Sequence, residues 1–409
     1  MSNPRLRNRR LVESFKTNLI RLEPPHRLPG IDLARGFAIF GMFAAHLAVI
    51  APLEWGRGET WSGIVSGRSS ILFATLAGVS LALVTAAATS RKNNDDAPTR
   101  RWGTRTELAL RAILIWVLGI TLDGLEVPIF VILPAYAILF LIGIPLLRLP
   151  ASTLFMLAML LALTMPFVVM TIDYNVANIS DQQEIEDVLR MLGWNYPFLL
   201  WTAFIAAGMG AGRVLSAGPH RAWILLVVGA GFAFVGYGII GPIGNRVIAS
   251  DSFVNEDAWS DAWIQSVMQD GPHSSGVGEA LGSGGFALAV IGVCTLIGAT
   301  PMRWLLWPIR AAGSMPLTAY VSHIIVWAVW ISVESGHDPN LDPWTDFREL
   351  APFWPMTIGV LIGCSSWAAL VGKGPMEALL GALTSGRQLR RTRTHPPRPP
   401  DSGPGTSSR

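Results

Sequence analysis

The stretch "GIDLARGFAIFGMFAAHLAVI", Gly30 to Ile50, decides the fold. It is long and apolar enough to cross a hydrocarbon core of roughly 30 Å, which takes about twenty residues. Yet it carries an aspartate, an arginine and a histidine. An ionisable group near mid-bilayer costs roughly 2.5–3.5 kcal/mol on insertion scales, so one that persists ordinarily faces a cavity or a partner. Arg35 and His46 are eleven residues apart, which on a helix places them on one face within about 20° and roughly 16 Å apart along the axis. Asp32 precedes Arg35 by three residues, within reach of an ion pair. One face of this helix therefore carries a charged pair at one end and a histidine towards the other.

The rest of the chain repeats the apolar pattern. Of its 409 residues only 14% are charged and 51% are hydrophobic, against roughly 25% charged in soluble proteins. Windows of about 19 residues predict an all-α, polytopic membrane protein with spans near 31–52, 68–89, 107–124, 128–148, 151–172, 197–215, 221–242, 281–300, 313–333 and 352–371. With the N-terminus assigned to the cytoplasm, 25 Lys/Arg fall inside and 5 outside, Arg35 being left in the first span. Cytoplasmic segments are the basic ones, so both termini are expected inside. About twenty of the 28 acidic residues then face outward, chiefly in 173–196 and 243–280. In the first of these, Ile185, Val188, Leu189 and Leu192 recur at helical spacing and predict a short amphipathic surface helix.

Three regions follow: a basic segment 1–29, a membrane domain 30–372 and a cytoplasmic tail 373–409, basic and then Pro/Ser/Gly-rich, with disorder expected from Thr384 towards its end. No cleavable signal is expected in 1–29, because no short apolar core with a cleavage site follows its basic residues. Cys294 and Cys364 both lie in predicted spans, so a secreted disulfide framework is excluded. The basic residues lack the aromatic pattern of an RNA-binding surface, and nucleic acid is not an expected partner. No metal spacing such as H-E-x-x-H, no G-x-S-x-G elbow and no nucleotide-binding loop is present. No metal and no permanently bound cofactor are expected.

Any chemistry thus rests on histidine and carboxylate. His323, in "GSMPLTAYVSHIIVWAVW", stands near the middle of the ninth span with Tyr320 one turn before it, and His273 stands just outside the eighth with Glu279 at its mouth. Converging helices would join His46, His323, His273 and Glu279 into an outward-opening polar set. Neutral histidine suits a general base, and arginine suits a phosphate group. Simpler readings remain for the same residues: an Asp32–Arg35 pair that snorkels to the head groups, and a histidine bonded to a neighbouring helix.

"RLPGIDLARGFAIFGMFAAHL", residues 27–47, resembles the first helix of the transmembrane acyltransferase superfamily, in which arginine and histidine follow an aspartate. "WSGIVSGRSSILFATLAGVSLAL", Trp61 to Leu83, is similar to the second-helix region of the heparan-alpha-glucosaminide N-acetyltransferase-like family. "GSMPLTAYVSH" and "GKGPMEALLGALTSGR" resemble the uncharacterised YeiB-type membrane family, an actinobacterial group of which also carries "PHS…LGSGGFALAV". The resemblance implies an acyltransferase in the cell membrane, with acetyl-CoA or a similar acyl donor as co-substrate and an envelope glycan or glycolipid as acceptor. His46, His323 and Glu279 would be catalytic; Asp32, Arg35, Tyr320, His273 and Glu59 would bind donor or acceptor. Where the heparan enzyme has an acetyl-accepting histidine before its tryptophan-x-glycine, this chain has "EWGRGET" before Trp61, leaving Glu59 or His46 to act directly. The alternative is a transporter of an organic acid, lipid or glycan precursor using the same intramembrane residues. A third reading is a non-catalytic assembly partner, supported by the glycine-rich "GMGAGR" and "GAGFAFVGYG" that permit close helix packing; the sequence is also compatible with a homo-oligomer.

Overall fold

The computed structural model describes residues 27–54, 56–90, 97–177, 182–244, 267–338 and 340–393. Most of the basic N-terminal segment, most of loop 243–280 and the last residues of the tail lie outside these. Every one of the ten apolar segments contains a helix, as the bilayer demands when backbone groups have no water to bind. They are α1 (Pro29–Leu47), α2 (Arg68–Ser90), α3 (Ala97–Asp123), α4 (Leu133–Leu146), α5 (Ala151–Ala177), α7 (Phe198–Ser216), α8 (Ala222–Phe234), α9 (Val277–Gly298), α11 (Pro316–Glu334) and α12 (Phe353–Leu370). Among the described residues, eight apolar helical segments are long enough to cross a membrane. The exceptions are α3, whose apolar run is flanked by Glu107, Arg111 and Asp123, and α4, which has 14 residues.

The shortness of α4 is a difference from the sequence reading, which began a span at 128. Residues 127–132 form an irregular, non-helical segment instead, with Val127, Ile129, Val131 and Ile132 all buried. The bend starts at Glu126, whose φ of 54° is left-handed. Non-helical backbone is tolerated at membrane depth where protein covers it. Here Phe130 and Ile132 find side-chain partners: Tyr196 Oη donates to the Phe130 carbonyl at 3.0 Å, and the Ile132 N–H donates to Tyr320 Oη at 3.3 Å.

The predicted amphipathic helix is α6 (Gln182–Met191), docked on the end of α3 by Arg190 with Asp123 at 3.0 Å and by Trp116 with the Met191 carbonyl. Its Val188 is 56% exposed, leaving apolar surface for an interface.

The core sits on α1, which buries Leu33, Ala38, Ile39, Phe43 and Leu47 completely. Around it stand α2, α9, α11 and the short α10 (Trp307–Ser314). Peripheral helices expose single apolar stripes at helical spacing, such as Met156, Leu160 and Leu163 on α5 and Trp354, Ile358 and Ile362 on α12. Such stripes suit lipid. The glycines of "GMGAGR" pack α7 on α2, Gly208 against Thr75 and Gly212 against Val79; those of "GAGFAFVGYG" pack α8 on α9, Gly229 against Ala289 and Gly236 against Gly282. Their close approach is therefore used within the chain.

The boundary expected at 372 falls short. Helix α13 (Pro375–Arg393) follows it, and Glu377 on its first turn accepts the N–H groups of Leu317 and Thr318 at 2.7 and 3.1 Å. The α13 segment is part of the folded unit, and the chain stays helical past Thr384, where disorder was expected. Its Ala, Leu, Gln and Arg residues are good helix formers.

Candidate functional site

At its first turn α1 carries a buried carboxylate. Asp32 is 3% exposed and lies between two guanidinium groups, Arg27 Nε at 2.5 Å and Arg35 Nη1 at 2.8 Å. Arg35 Nη2 donates to Ser80 Oγ on α2 at 2.8 Å. Arg35 is therefore held between two helices and does not snorkel. Gly313 of α10 presses on the same turn, so closely that a Cβ there would overlap the Asp32 carbonyl oxygen. Sequence reasoning missed Arg27, which lies just before the helix and was visible as a basic residue, but its partner was not.

Eleven residues further along α1, His46 meets His323. Nδ1 of the first lies 3.3 Å from Nε2 of the second, and the rings stack at 5.5 Å with 19° between their planes. One proton serves this bond, and either ring can donate it. His323 is fully buried, with Phe43 at 4.7 Å and Tyr320 edge-on at 5.1 Å. Its buried Nδ1 is turned to the backbone of Tyr320, one turn earlier on the same helix. α1 unwinds just past His46, and there Arg348 donates to the Ala48 carbonyl. The segment bearing Arg348 is anchored by Trp327, whose Nε1 donates to the Pro343 carbonyl at 3.1 Å and whose ring stacks on Phe347.

His273 and Glu279 lie beyond this pair, joined to one another. His273 and Ser275 both have left-handed backbones, φ 59° and 57°. Glu279 Oε1 accepts the His273 N–H at 2.7 Å and its Oε2 accepts the Ser275 N–H at 2.9 Å. Both oxygens of Glu279 thus hold the strained turn. The His273 ring packs edge-on to Tyr196 at 5.7 Å, within electrostatic reach of His46. Burial lowers the His273 pKa and raises that of Tyr196; both are neutral at pH 7.

Next to Glu279 sequence reasoning missed a further group. Arg68, 5% exposed at the start of α2, lies 4.4 Å from the ring centre of Tyr237, and the Tyr237 hydroxyl meets Ser283 Oγ at 2.5 Å. Tyr237 sits on the π-helical turn Val235–Ile240 that ends α8, and such turns are frequent at functional sites. The one sequence signal was Arg68, a charge at the mouth of a span. Glu59 joins none of these groups: it is exposed and paired with Arg57 at 2.7 Å.

The structure thus brings together His46, His323 and Tyr320, sets His273 and Glu279 beside them, and leaves Asp32 and Arg35 at the far end of α1. A neutral imidazole pair can take a proton at one nitrogen while the partner steadies the charge.

A family model described as "Heparan-alpha-glucosaminide N-acetyltransferase, catalytic" matches residues 27–241, more than half of the chain. A second, "Protein of unknown function (DUF418)", matches residues 239–387. No curated protein and no solved structure matches the chain.

Proposed function

The chain belongs to the heparan-alpha-glucosaminide N-acetyltransferase catalytic family, and on that premise we propose that it transfers an acyl group from a cytoplasmic donor to an envelope glycan or glycolipid. The observation that carries this is the 3.3 Å contact between His46 and His323 in the membrane interior, on the helix that begins with the Arg27–Asp32–Arg35 cluster.

In this reading both termini are cytoplasmic and the protein lies in the cell membrane, as the uneven Lys/Arg distribution supports. Arg35, braced by Asp32 and Ser80, meets the phosphates of an acetyl-CoA-type donor. The long arm of such a donor covers the roughly 16 Å of α1 to the histidines. The acceptor N–H or O–H gives its proton to the neutral imidazole of the pair. Its freed lone pair forms a bond to the acyl carbon as the C–S bond breaks, and the imidazolium returns the proton to the leaving thiolate. Tyr320 orders the segment beside His323, and Glu279 and His273 shape the outer rim. Glu59 is left outside the site.

Purified protein in nanodiscs, given acetyl-CoA and cell-envelope extract, is expected to release free thiol. His46→Ala is expected to abolish that release. Normal turnover in the mutant removes His46 from the mechanism.

A further inference from the structure

Where α1 unwinds past His46, an arginine stands without a counter-charge. Arg348, on the short turn Thr345–Glu349, is half-buried, and its guanidinium lies 4.4 Å from the ring centre of Trp344. It donates to the Ala48 carbonyl, just beyond His46. None of the ion pairs among the described residues includes it. The carboxylates of its own segment are engaged locally, Asp342 by the Trp344 N–H and the Thr345 hydroxyl and Asp346 by the Asp342 N–H. Across from it Glu279 is held by the turn at His273.

A cation at the C-terminal end of a helix is favoured by the macrodipole, and the contact with Ala48 makes Arg348 a cap for α1. That role occupies only part of the guanidinium. Its Nε is buried with no hydrogen-bond partner among the described residues. An unmet buried donor is costly, and the group that matches a planar guanidinium best is a carboxylate or a phosphate.

The same end of α1 presents imidazole. His46 is half-buried and spends Nδ1 on His323, so Nε2 is the nitrogen it has left. Arg348 and His273 both lie within electrostatic reach of it. His273 is tied to Glu279 through its backbone N–H, and the residue itself is exposed. Beyond them Val49, Arg57 and Glu59 are exposed as well, so this end of the helix opens to solvent.

We infer that Arg348 binds a carboxylate or phosphate group of the acceptor and thereby sets its nucleophile on His46 Nε2, which makes the acceptor an anionic sugar. The inference rests on the acyltransferase reading for the word acceptor. In that reading the donor's phosphates meet Arg35 at the opposite end of α1, so the anion at Arg348 comes with the acceptor.

The test needs no acyl donor. Diethyl pyrocarbonate modifies unprotonated histidine nitrogens that solvent reaches, and mass spectrometry maps the adducts on the full-length protein in phosphatidylcholine nanodiscs. His46 is expected to react, and saturating glucose 6-phosphate or glucuronate should slow its reaction at least about tenfold, whereas glucose should not. Arg348→Gln should still react at His46 and should lose the protection. Arg348→Lys, which keeps the charge without the fork, should keep part of it and serves as the second variant if the glutamine protein fails to fold.

An unreactive His46, equal protection by glucose, or protection undiminished in a folded Arg348 variant would overturn the inference. So would equal protection by inorganic phosphate alone or by phosphatidylglycerol in the nanodisc, since the anion would then be free phosphate or a lipid head group. Protection by the sugar anions without thiol release from acetyl-CoA would sink the acyltransferase reading alone. Thiol release to neutral sugars without any such protection would sink the anion site alone.

Discussion

The carboxylate of Glu377 receives the hydroxyl of Thr318 at 2.6 Å and, through its other oxygen, the N–H of Leu317 at 2.7 Å. A side chain from beyond the last apolar span thus caps the helix that carries His323. A negative charge at a helix N-terminus satisfies its orphan N–H groups and opposes the macrodipole.

Glu377→Ala is expected to destabilise the protein by about 1–3 kcal/mol, the cost of leaving a buried donor set unsatisfied. Glu377→Gln, which keeps one acceptor oxygen, should lose less. Thermal unfolding in detergent measures both, and identical melting temperatures for wild type and Glu377→Ala would refute the cap.

His46 and His323 should behave as a unit. Each alanine variant is expected to lower turnover by roughly 10²–10⁴-fold, the usual contribution of a positioned acid–base group. The double variant should be little worse than either single, because residues acting together are non-additive. Turnover with acetyl-CoA in the four members of the cycle decides this; additive losses mean the two rings work separately.

Asp32 is predicted to matter for stability and Arg35 for the donor. Asp32→Ala leaves two guanidinium groups facing each other in a buried site, at a cost of roughly 3–5 kcal/mol. Arg35→Lys keeps the charge but loses the planar fork that spans Asp32 and Ser80. The expected result is a donor KM raised about tenfold with kcat nearly kept. A fall in kcat at unchanged KM would place Arg35 elsewhere in the reaction.

Acid should loosen the turn at His273. Its folded pKa lies below the ordinary value of 6.5 because burial disfavours the charged ring. Above that value both folded and unfolded states hold a neutral ring, and the contribution to stability is complete. As pH falls through about 6.5 the unfolded state binds a proton that the folded state resists, and stability is lost. Hydrogen exchange across residues 267–280 should therefore quicken between about pH 7 and pH 5 in wild type, and less in His273→Phe. The same acid response in both would assign it to another group.

Gly313→Ala tests the seat of the charged cluster. Its Cβ would overlap the Asp32 carbonyl oxygen, so α10 must move off α1 at a cost of about 1–3 kcal/mol. Unchanged stability would mean that the two helices are not in close contact.

Residues 30–50 and the later apolar runs determined the helices by themselves, eight of them, among the described residues, long and apolar enough to span, because in lipid each such run must close its own backbone hydrogen bonds. The eleven-residue spacing put Arg35 and His46 on one face by helical geometry alone. Periodicity likewise marked α6. What only the tertiary structure decided was who meets whom. His323 lies 277 positions from His46, and no local rule brings them together. Glu279, expected at the mouth of the site as a catalytic group, spends both oxygens on the left-handed turn at His273 and Ser275. Glu59 pairs with Arg57 in an exposed loop, and residues 127–132 stay non-helical, with Tyr196 and Tyr320 supplying partners to the Phe130 carbonyl and the Ile132 N–H. Within one segment backbone hydrogen bonding is local and legible from the sequence. Between segments the outcome depends on which small residues let two helices approach, and that is a property of the packed whole.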